Sequence, residues 1–396
     1  MTDFIPGVTP IPASGAIITA ADKWAMHQQV DKGWLTAGPV NRQFERALGE
    51  FTGHKHVRTC NSGSSANLLA VAAMVEAGIW KAGDEIITAA CGFPTTVNPL
   101  LLYGLVPVFV DVEIGTYVPS LDAVMKNDAD GLVMAHTLGN VAHPDMFLNF
   151  HSIEDCCDAL GSRGGAKNRH VGGWANIATC SFFPAHHITT GEGGAVFTQD
   201  DRLVRIIESV RDWGRSCWCE PGQQNSCGTR FEYTVDGVPA DHKYGLEYLG
   251  YNLKITEVGA ACGLSQIQRL PGFVEARRRN FAFLPAALES CADHIILPQE
   301  TPGTKASWFG FPITIREPGQ RQALQYYLME NKIDSRLIFG GNLTRHTYMR
   351  NRNFRIAGSL ANSDKILADS LWVGVQPALS EEMLAFVADK ITGFFK

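Results

Sequence analysis

Three short segments carry side chains whose types and spacing could bind and use a charged cofactor. The first spans residues 61–67, where Asn-Ser-Gly-Ser-Ser-Ala-Asn precedes the apolar helical run 68–75. A Gly/Ser turn that opens a helix offers free backbone N–H groups, hydroxyl groups and the positive end of the helix dipole. This turn therefore predicts an anion site suited to a phosphate. An ordinary serine N-cap is the alternative interpretation.

The second segment is a pair of carboxylates, Glu154 and Asp155, directly after the apolar Ile153. The pair falls at the C-terminal end of a predicted strand, and open α/β sheets bind ligands at that edge. A carboxylate there can pair with a protonated pyridine nitrogen. A helix cap or a surface carboxylate is the competing interpretation of this pair.

The third segment, residues 181–194, reads Ser-Phe-Phe-Pro-Ala-His-His-Ile-Thr-Thr-Gly-Glu-Gly-Gly. The order and spacing of the three segments resemble the fold-type I pyridoxal-phosphate enzymes, in particular the DegT-type family that acts on nucleotide-linked keto sugars. The resemblance extends from about Gly33 to the C-terminus. Further matching segments are residues 83–87, 92–96, 110–112 and 250–254. The resemblance implies the aspartate aminotransferase-like α/β fold.

One departure from the family decides the expected reaction. The family's strand that begins at Ser181 leads to the lysine that holds the cofactor as a Schiff base, and His186 stands at that position. A histidine cannot form this bond, but it can act as a general base. The departure disfavours a simple transaminase, which would need a lysine from elsewhere, for example Lys254 or Lys167.

Four cysteines form a second candidate centre. Cys217 and Cys219 enclose one tryptophan, Cys227 follows after seven residues, and Cys157 lies beside Asp155 in the sequence. Four thiolates can hold an iron–sulfur cluster or a structural zinc ion. Four unrelated cysteines would be a third interpretation, because a C-x-C pair alone is not decisive.

The cysteine spacing and the histidine together resemble one branch of the family, the iron–sulfur CDP-6-deoxy-4-hexulose 3-dehydrases. The resemblance implies a [2Fe–2S] cluster on Cys157, Cys217, Cys219 and Cys227. It also implies pyridoxamine phosphate (PMP) as the cofactor, with His186 as the general base. The implied cofactor contacts are Asp155 to the pyridine nitrogen, Phe93 stacked on the ring, Asp158 near the ring hydroxyl, Gly63, Ser64 and Ser181 around the phosphate, and Asn252 at the phosphate of the neighbouring subunit.

The function implied by this resemblance is removal of the C3 hydroxyl group from a nucleotide-linked 4-keto-6-deoxyhexose, with CDP as the expected nucleotide. A separate flavin or iron–sulfur reductase would supply two electrons, and the chain would work as a homodimer. Three alternatives remain open: a cluster-free dehydratase driven by glutamate, a sugar aminotransferase that uses another lysine, and a zinc-stapled scaffold without catalysis.

The elements that must position these residues alternate in type along the first two-thirds of the chain. Strands are predicted at 85–90, 106–112, 131–136, 177–183 and 194–198, and helices at 96–103 and 202–213. This alternation predicts a mostly parallel, doubly wound α/β sheet. We expect a large cofactor-binding domain at residues 1–270, with an aperiodic cysteine-rich insertion at about 215–249, and a smaller α+β domain at 271–396. The segment 140–153 is short for a crossover and predicts a truncated helix.

Composition narrows the possible partners. The chain has 396 residues, and its formal net charge of −6 disfavours nucleic acid or an anionic membrane as a partner. Hydrophobic residues make up 45% of it, enough for a sizeable core. No apolar run approaches the ~18 residues of a membrane span. The N-terminus lacks a signal-peptide pattern, which predicts a cytoplasmic protein whose ten cysteines are not paired in disulfides.

Overall fold

The helices and strands come from a computed structural model that describes residues 4–219 and 222–396. The α-helices are α1 (Ala20–Lys32), α2 (Pro39–Thr52), α3 (Gly63–Glu76), α4 (Pro94–Leu102), α5 (Leu121–Met125), α6 (Asp145–Leu148), α7 (Asp201–Arg211), α8 (Glu257–Ile267), α9 (Leu270–Ala287), α10 (Arg321–Glu330), α11 (Ala361–Asp369) and α12 (Glu381–Phe394). Short 3-10 helices include Thr137–Gly139 and His242–Tyr244.

The strands fall into four sheets. They are β1 (His56–Cys60), β2 (Glu85–Ala89), β3 (Val106–Val110), β4 (Gly131–Ala135), β5 (His151–Asp155), β6 (Arg163–Gly164), β7 (Arg169–His170), β8 (Ile177–Ser181), β9 (Gly194–Thr198), β10 (Tyr233–Val235), β11 (Val238–Ala240), β12 (Ile295–Ile296), β13 (Thr304–Lys305), β14 (Gly310–Ile315), β15 (Ser335–Arg336), β16 (Arg355–Ile356) and β17 (Ser370–Gly374).

The largest sheet has the strand order β1-β9-β8-β5-β4-β2-β3-β16. Only β9 runs antiparallel to its two neighbours, and every other pair in this sheet is parallel. Successive residues of a strand point to opposite faces, so Ile86 and Ile87, or Leu132 and Val133, enter two different apolar cores. Both faces are therefore covered, which is the rule for parallel sheets.

The C-terminal third builds a second, antiparallel sheet in the order β12-β14-β17-β15. Its own core includes Phe311, Ile313 and Val373. Residues from each side of position 270 also contribute to the other half of the molecule. Ile11 belongs to this second core, and β16 pairs with β3 at the edge of the large sheet. The division into domains 1–270 and 271–396 stays a prediction.

The two ends of the insertion at 215–249 lie side by side, so the insertion is joined to the rest of the chain through a narrow stem. Isolated backbone bridges join Asp212 to Asn252 and Arg215 to Leu246. Between these bridges two glycines touch, because a Cβ on Gly250 would overlap the backbone of Gly214. Within the described part of the insertion only His242 and Gly245 are buried, so it has no apolar core of its own.

The predicted elements lie where the sequence placed them, with shifts of a few residues at their ends. The crossover 140–153 contains only the four-residue helix α6, which confirms the predicted truncation. In the part of the chain that is described, no helix is long and apolar enough to span a membrane.

Candidate active site

The three predicted segments meet at one edge of the large sheet. Ser181 ends β8, Asp155 ends the adjacent β5, and Gly63 begins α3 beside them. The side chain of Ser62 caps α3 by accepting a hydrogen bond from the Ser65 N–H, 3.0 Å away. A Cβ on Gly63 would lie 2.5 Å from the Ser181 Cβ, so only glycine fits there. The structure thus brings Gly63 and Ser181 together at a helix N-terminus, where an anion is favoured.

Asp155 is buried, with 5% of its surface exposed, and its carboxylate is fixed by three donors. Oδ2 accepts hydrogen bonds from Asn67 Nδ2 at 2.8 Å and Thr96 Oγ1 at 2.7 Å. Oδ1 accepts one from the Cys157 backbone N–H at 3.1 Å. Sequence reasoning did not assign Asn67 or Thr96, although both lie inside the two motifs that it quoted. A carboxylate held in this way can bind a protonated pyridine nitrogen without reorganising.

The other predicted contacts surround this edge but are more exposed. Ser64 is exposed in the first turn of α3, and Phe93 precedes α4 with half of its surface exposed. The ring of Phe93 is edge-on to Phe339, with 6.0 Å between ring centroids. Asn252 is exposed next to Leu253, whose carbonyl accepts a hydrogen bond from the N–H of Asn61.

His186 lies in the turn after β8 with its ring against Phe309. Its Nδ1 is enclosed, has no hydrogen-bond partner, and lies 3.5 Å from Oδ1 of Asp158. Burial, reinforced by the Arg277 guanidinium and opposed by the Asp155 carboxylate, lowers the pKa of His186 to about 4. The imidazole is therefore neutral at pH 7. With the hydrogen on Nδ1 toward Asp158, the lone pair is left on Nε2.

The partly buried Asp158 and the buried Arg277 lie next to His186. Burial and the nearby Asp155 raise the pKa of Asp158 to about 8, although the Leu138 N–H and Arg277 act in the opposite sense. Arg277 donates to the carbonyl oxygen of His186 at 3.3 Å, and burial lowers its pKa to about 10. Sequence reasoning missed Arg277, since an Arg-rich helix does not reveal which of its arginines faces inward.

Neither candidate lysine reaches this site within the described chain. The Lys254 ammonium lies 3.5 Å from the centroid of the Trp213 ring and 3.7 Å from Oδ1 of Asp212. Lys167 is exposed in the turn between β6 and β7. No contact joins either lysine to Asp155 or His186 within the same part of the chain.

Three of the predicted cysteines, Cys217, Cys219 and Cys227, come together in the insertion, and we call them the cysteine group. The Cys219 N–H donates to Sγ of Cys217 and the Thr229 N–H to Sγ of Cys227, both at 3.4 Å. Burial disfavours the Cys219 thiolate, but hydrogen bonds from Ser226, His242 and Cys227 outweigh it and lower its pKa to about 6. Such a thiolate is the form that binds metals.

Cys157 lies apart from the cysteine group. Its Sγ would be 3.1 Å from a Cβ on Gly63, so it borders the anion site. Burial and the charges of Asp155 and Asp158 raise the pKa of its thiol. Across residues 4–219 and 222–396, no contact connects Cys157 with Cys217, Cys219 or Cys227. The thiols that the sequence predicted as one ligand set thus occupy two places in the chain.

The chain is similar to several characterised proteins. It is 46% identical to the lipopolysaccharide biosynthesis protein RfbH of Salmonella typhimurium, over 99% of this chain and 93% of that protein. It is 43% identical to the dTDP-4-dehydro-2,6-dideoxy-D-glucose 3-dehydratase of Saccharopolyspora spinosa, over 99% and 88%. Its fold matches the GDP-4-keto-6-deoxy-D-mannose-3-dehydratase of E. coli with bound hydrated PLP, at a TM-score of 0.84, 26% identity and coverage of 96% and 98%.

The fold comparison confirms the predicted α/β architecture of a fold-type I PLP enzyme. The sequence comparison extends along nearly the whole chain, because the model of the DegT/DnrJ/EryC1/StrS aminotransferase family matches residues 17–392. Both the predicted fold and the predicted family are therefore correct at this level. The chain belongs to the DegT/DnrJ/EryC1/StrS aminotransferase family.

Proposed function

We propose that this chain removes the C3 hydroxyl group of a nucleotide-linked 4-keto-6-deoxyhexose, using PMP and a [2Fe–2S] cluster. The observation that carries the proposal is the neutral His186, supported by Asp158, at the position where an aminotransferase of this family needs a lysine. Relatives named as nucleotide-sugar 3-dehydratases cover most of the chain and support the same reaction.

The residues at the sheet edge fit PMP. Because Gly63 has no side chain, a space remains next to Ser181 that a single Cβ would fill. The first turn of α3 supplies N–H groups and hydroxyl groups for a phosphate. Ser64 and Ser181 would bind the phosphate, Asp155 the pyridine nitrogen and Phe93 the face of the ring. When bound, PMP supplies an amine that condenses with the C4 ketone and a ring that withdraws electrons from the adjacent carbon.

His186 acts as the general base in this proposal. Its neutral imidazole could accept through Nε2 the proton that bound PMP would release at C4′. Asp158 faces Nδ1 of the ring across 3.5 Å and would help to orient it, and Arg277 fixes the backbone of His186.

The cysteine group fits an iron–sulfur cluster because it presents three thiols with N–H donors aimed at two of the sulfurs. The cluster would supply electrons one at a time, and a flavin or iron–sulfur reductase would be their source. Cys217 and Cys219 line a cavity of about 740 Å³ together with Arg205 and Arg215, so an electron donor could approach them. Cys157, the fourth ligand expected from the sequence, borders the PMP site instead.

Exposed apolar side chains around the site support a homodimer. Five of them are aromatic or leucine residues at least 41% exposed: Phe93, Phe183, Trp213, Trp218 and Leu246. Exposed apolar residues grouped near a functional edge are typical of subunit interfaces. A second copy would cover them, and Asn252, which is exposed nearby, would reach the phosphate of the partner's cofactor.

The decisive experiment is an EPR spectrum of the anaerobically purified chain after one-electron reduction, combined with turnover assays. We expect a [2Fe–2S] signal that Cys217→Ser or Cys227→Ser abolishes, and turnover that requires an external reductase. Protein without iron that turns over with glutamate as the only co-reactant would contradict the cluster and favour a glutamate-driven 3-dehydratase. A borohydride-trapped lysine adduct would instead indicate an aminotransferase.

We propose CDP as the nucleotide of the substrate, on the sequence resemblance. Two of the relatives are named for dTDP- and GDP-linked sugars, so the test must compare all three nucleotides. Turnover with the CDP-, dTDP- and GDP-linked forms of one 4-keto-6-deoxyhexose would rank them by kcat/KM. A higher kcat/KM for the dTDP or GDP form would overturn the choice of CDP.

A further inference from the structure

Asp155 is connected by hydrogen bonds to a threonine on the neighbouring strand. Thr179 lies opposite Asp155 in the register of the parallel strands β5 and β8. Its Oγ1 donates a hydrogen bond to Oδ1 of Asn67 at 2.6 Å, and Nδ2 of Asn67 donates to Oδ2 of Asp155 at 2.8 Å. All three side chains are buried. Thr179, which is not among the residues proposed to contact PMP, is therefore linked to the carboxylate that would bind its ring nitrogen.

The hydrogen bonds to Asp155 leave acceptor capacity on one of its oxygens. An ionised carboxylate has about four lone-pair positions, shared equally between its two oxygens. Oδ2 accepts from Asn67 and also from Oγ1 of Thr96, at 2.7 Å, so its positions are filled. Oδ1 accepts from the N–H of Cys157 at 3.1 Å, and the Cys157 thiol, a weak donor, lies against the same carboxylate. Oδ1 is thus the oxygen that remains for the proton on a pyridine nitrogen.

The hydroxyl group of Thr179 determines what the amide of Asn67 offers to Asp155. An amide has an acceptor end and a donor end. Because the hydroxyl donates to Oδ1 of Asn67, the acceptor end is satisfied and the donor end faces the carboxylate. Without that hydroxyl, Oδ1 of Asn67 would be buried with no donor, which is costly, and the amide would turn toward another group. The hydrogen bond from Asn67 to Asp155 would then weaken.

We propose that Thr179 is a positioning residue that acts through Asn67 to keep the proton on the pyridine nitrogen of bound PMP. This inference rests on the proposed binding of PMP at the sheet edge. Donors to a carboxylate stabilise its negative charge. The donor from Asn67 therefore favours the arrangement in which the proton between Asp155 and the ring stays on the ring. A protonated ring is the form that withdraws electrons from the adjacent carbon.

The first test observes the ring nitrogen directly. The full-length chain is loaded with PMP that carries ¹⁵N in the ring, and NMR follows the protonation of this nitrogen as the pH is raised. In Thr179→Val, which keeps the shape of the side chain but lacks the hydroxyl group, the nitrogen should lose its proton about one pH unit lower than in the wild type. This tenfold change is roughly what one weakened hydrogen bond to a charged group produces. Thr179→Ser, which keeps the hydroxyl group, should restore the wild-type titration.

Two comparisons distinguish this role from a merely structural one. Thr198→Val removes another buried threonine hydroxyl of the large sheet, which donates to the carbonyl of Asn176 at 2.8 Å, and should leave the titration unchanged. If Thr179 acts through Asn67, adding Thr179→Val to Asn67→Ala should cause no further shift. An unchanged titration in Thr179→Val, an equal shift in Thr198→Val, or a further shift in the double variant would each overturn the proposal.

The second test needs no substitution, which guards against variants that fail to fold. Neutron diffraction of the full-length wild-type chain locates deuterium atoms on side chains. We expect one on Oγ1 of Thr179, directed at Oδ1 of Asn67, and one on Nδ2 of Asn67, directed at Asp155. An amide with its oxygen toward Asp155 would contradict the assignment.

These outcomes separate the inference from the proposed function. A chain whose bound PMP responds to Thr179→Val as expected, but that shows no dehydration, keeps the inference and refutes the function. A chain that dehydrates its substrate, with a ring-nitrogen titration that Thr179→Val does not change, refutes the inference alone. A chain that binds no PMP refutes both.

Discussion

Nδ1 of His186 faces Oδ1 of Asp158 across 3.5 Å, and the two side chains are 15% and 14% exposed. The pKa of the imidazole is lowered to about 4 and that of the carboxyl is raised to about 8, so between these values both are neutral. Above pH 8 the ionised carboxylate attracts the Nδ1–H more strongly, which makes Nε2 more basic.

The exchange of the C4′ proton of PMP should therefore increase between pH 7 and 9 with an apparent pKa near 8. Asp158→Asn should remove this rise and lower the rate roughly ten- to hundredfold, because the ring loses its orientation. Deuterium exchange at C4′, followed by mass spectrometry at several pH values, checks both effects. An unchanged pH profile in the variant would show that Asp158 does not position His186.

His186→Asn should retain PMP binding and slow C4′ exchange by about 10²–10⁴-fold, the usual contribution of a general base. Asparagine has a similar volume but no basic nitrogen at neutral pH. Cofactor affinity measured by absorbance titration serves as the control. Normal exchange with normal affinity would refute the role of His186.

Gly63→Ala should weaken PMP binding, because its Cβ would lie 2.5 Å from the Ser181 Cβ. Overpacking of this kind costs about 1–3 kcal/mol. The matched control is Gly272→Ala, in the first turn of α9, where no atom lies within 4 Å of the added carbon. Equal PMP affinities of the two variants would contradict the proposed phosphate cradle.

The free energy of unfolding should depend on pH through His170, which has no role in the proposed chemistry. Its Nε2 accepts a hydrogen bond from the Gly161 N–H at 2.8 Å, and burial lowers its pKa to about 3. The unfolded chain binds this proton near pH 6.5 and the folded chain does not. The neutral form thus stabilises the fold above pH 6.5, and this contribution is lost as pH falls toward 3.

The expected loss from His170 approaches about 1.4 kcal/mol per pH unit inside that window. Urea denaturation of the wild-type chain and of His170→Asn at pH 5, 6 and 7 measures it. The variant should be less stable at pH 7 but should have a flatter dependence on pH. Parallel curves would show that His170 is protonated in the folded chain.

Removal of the proposed cluster should loosen the insertion more than the sheet. The described residues of the insertion bury little apart from His242 and Gly245, so bonds to a cluster would add much to its internal support. Trypsin should then cut faster after Arg230 and Lys243 in chelator-treated protein. The exposed Lys167 in the turn between β6 and β7 is the control, and its cleavage rate should not change.

The sheet was predictable from the sequence because its strands are short apolar runs separated by helical periods. The strand Gly194–Thr198 has the predicted bounds, since glycines and an aspartate delimit it. The predicted end of β8 was Phe183, two residues too late. Phe182 and Phe183 are apolar like a strand, but the chain turns after Ser181 to bring His186 back.

The support of each functional residue was not predictable, because it depends on contacts between distant parts of the chain. Thr96 and Asp155 are 59 residues apart, and Arg277 and His186 are 91 apart. His242 lies in a segment without periodicity, where nothing local distinguishes it from a surface histidine.

The contact between Gly214 and Gly250 makes the cysteine-bearing insertion a separable module. Because its two ends already meet, replacing the intervening segment with a short linker would cost little loop-closure entropy and would leave the strands of the large sheet in register. A chain with this architecture could thus gain or lose the cysteine-bearing segment in one step, without changes to the proposed site around His186. Two adjacent glycines mark the place where such a segment can be joined.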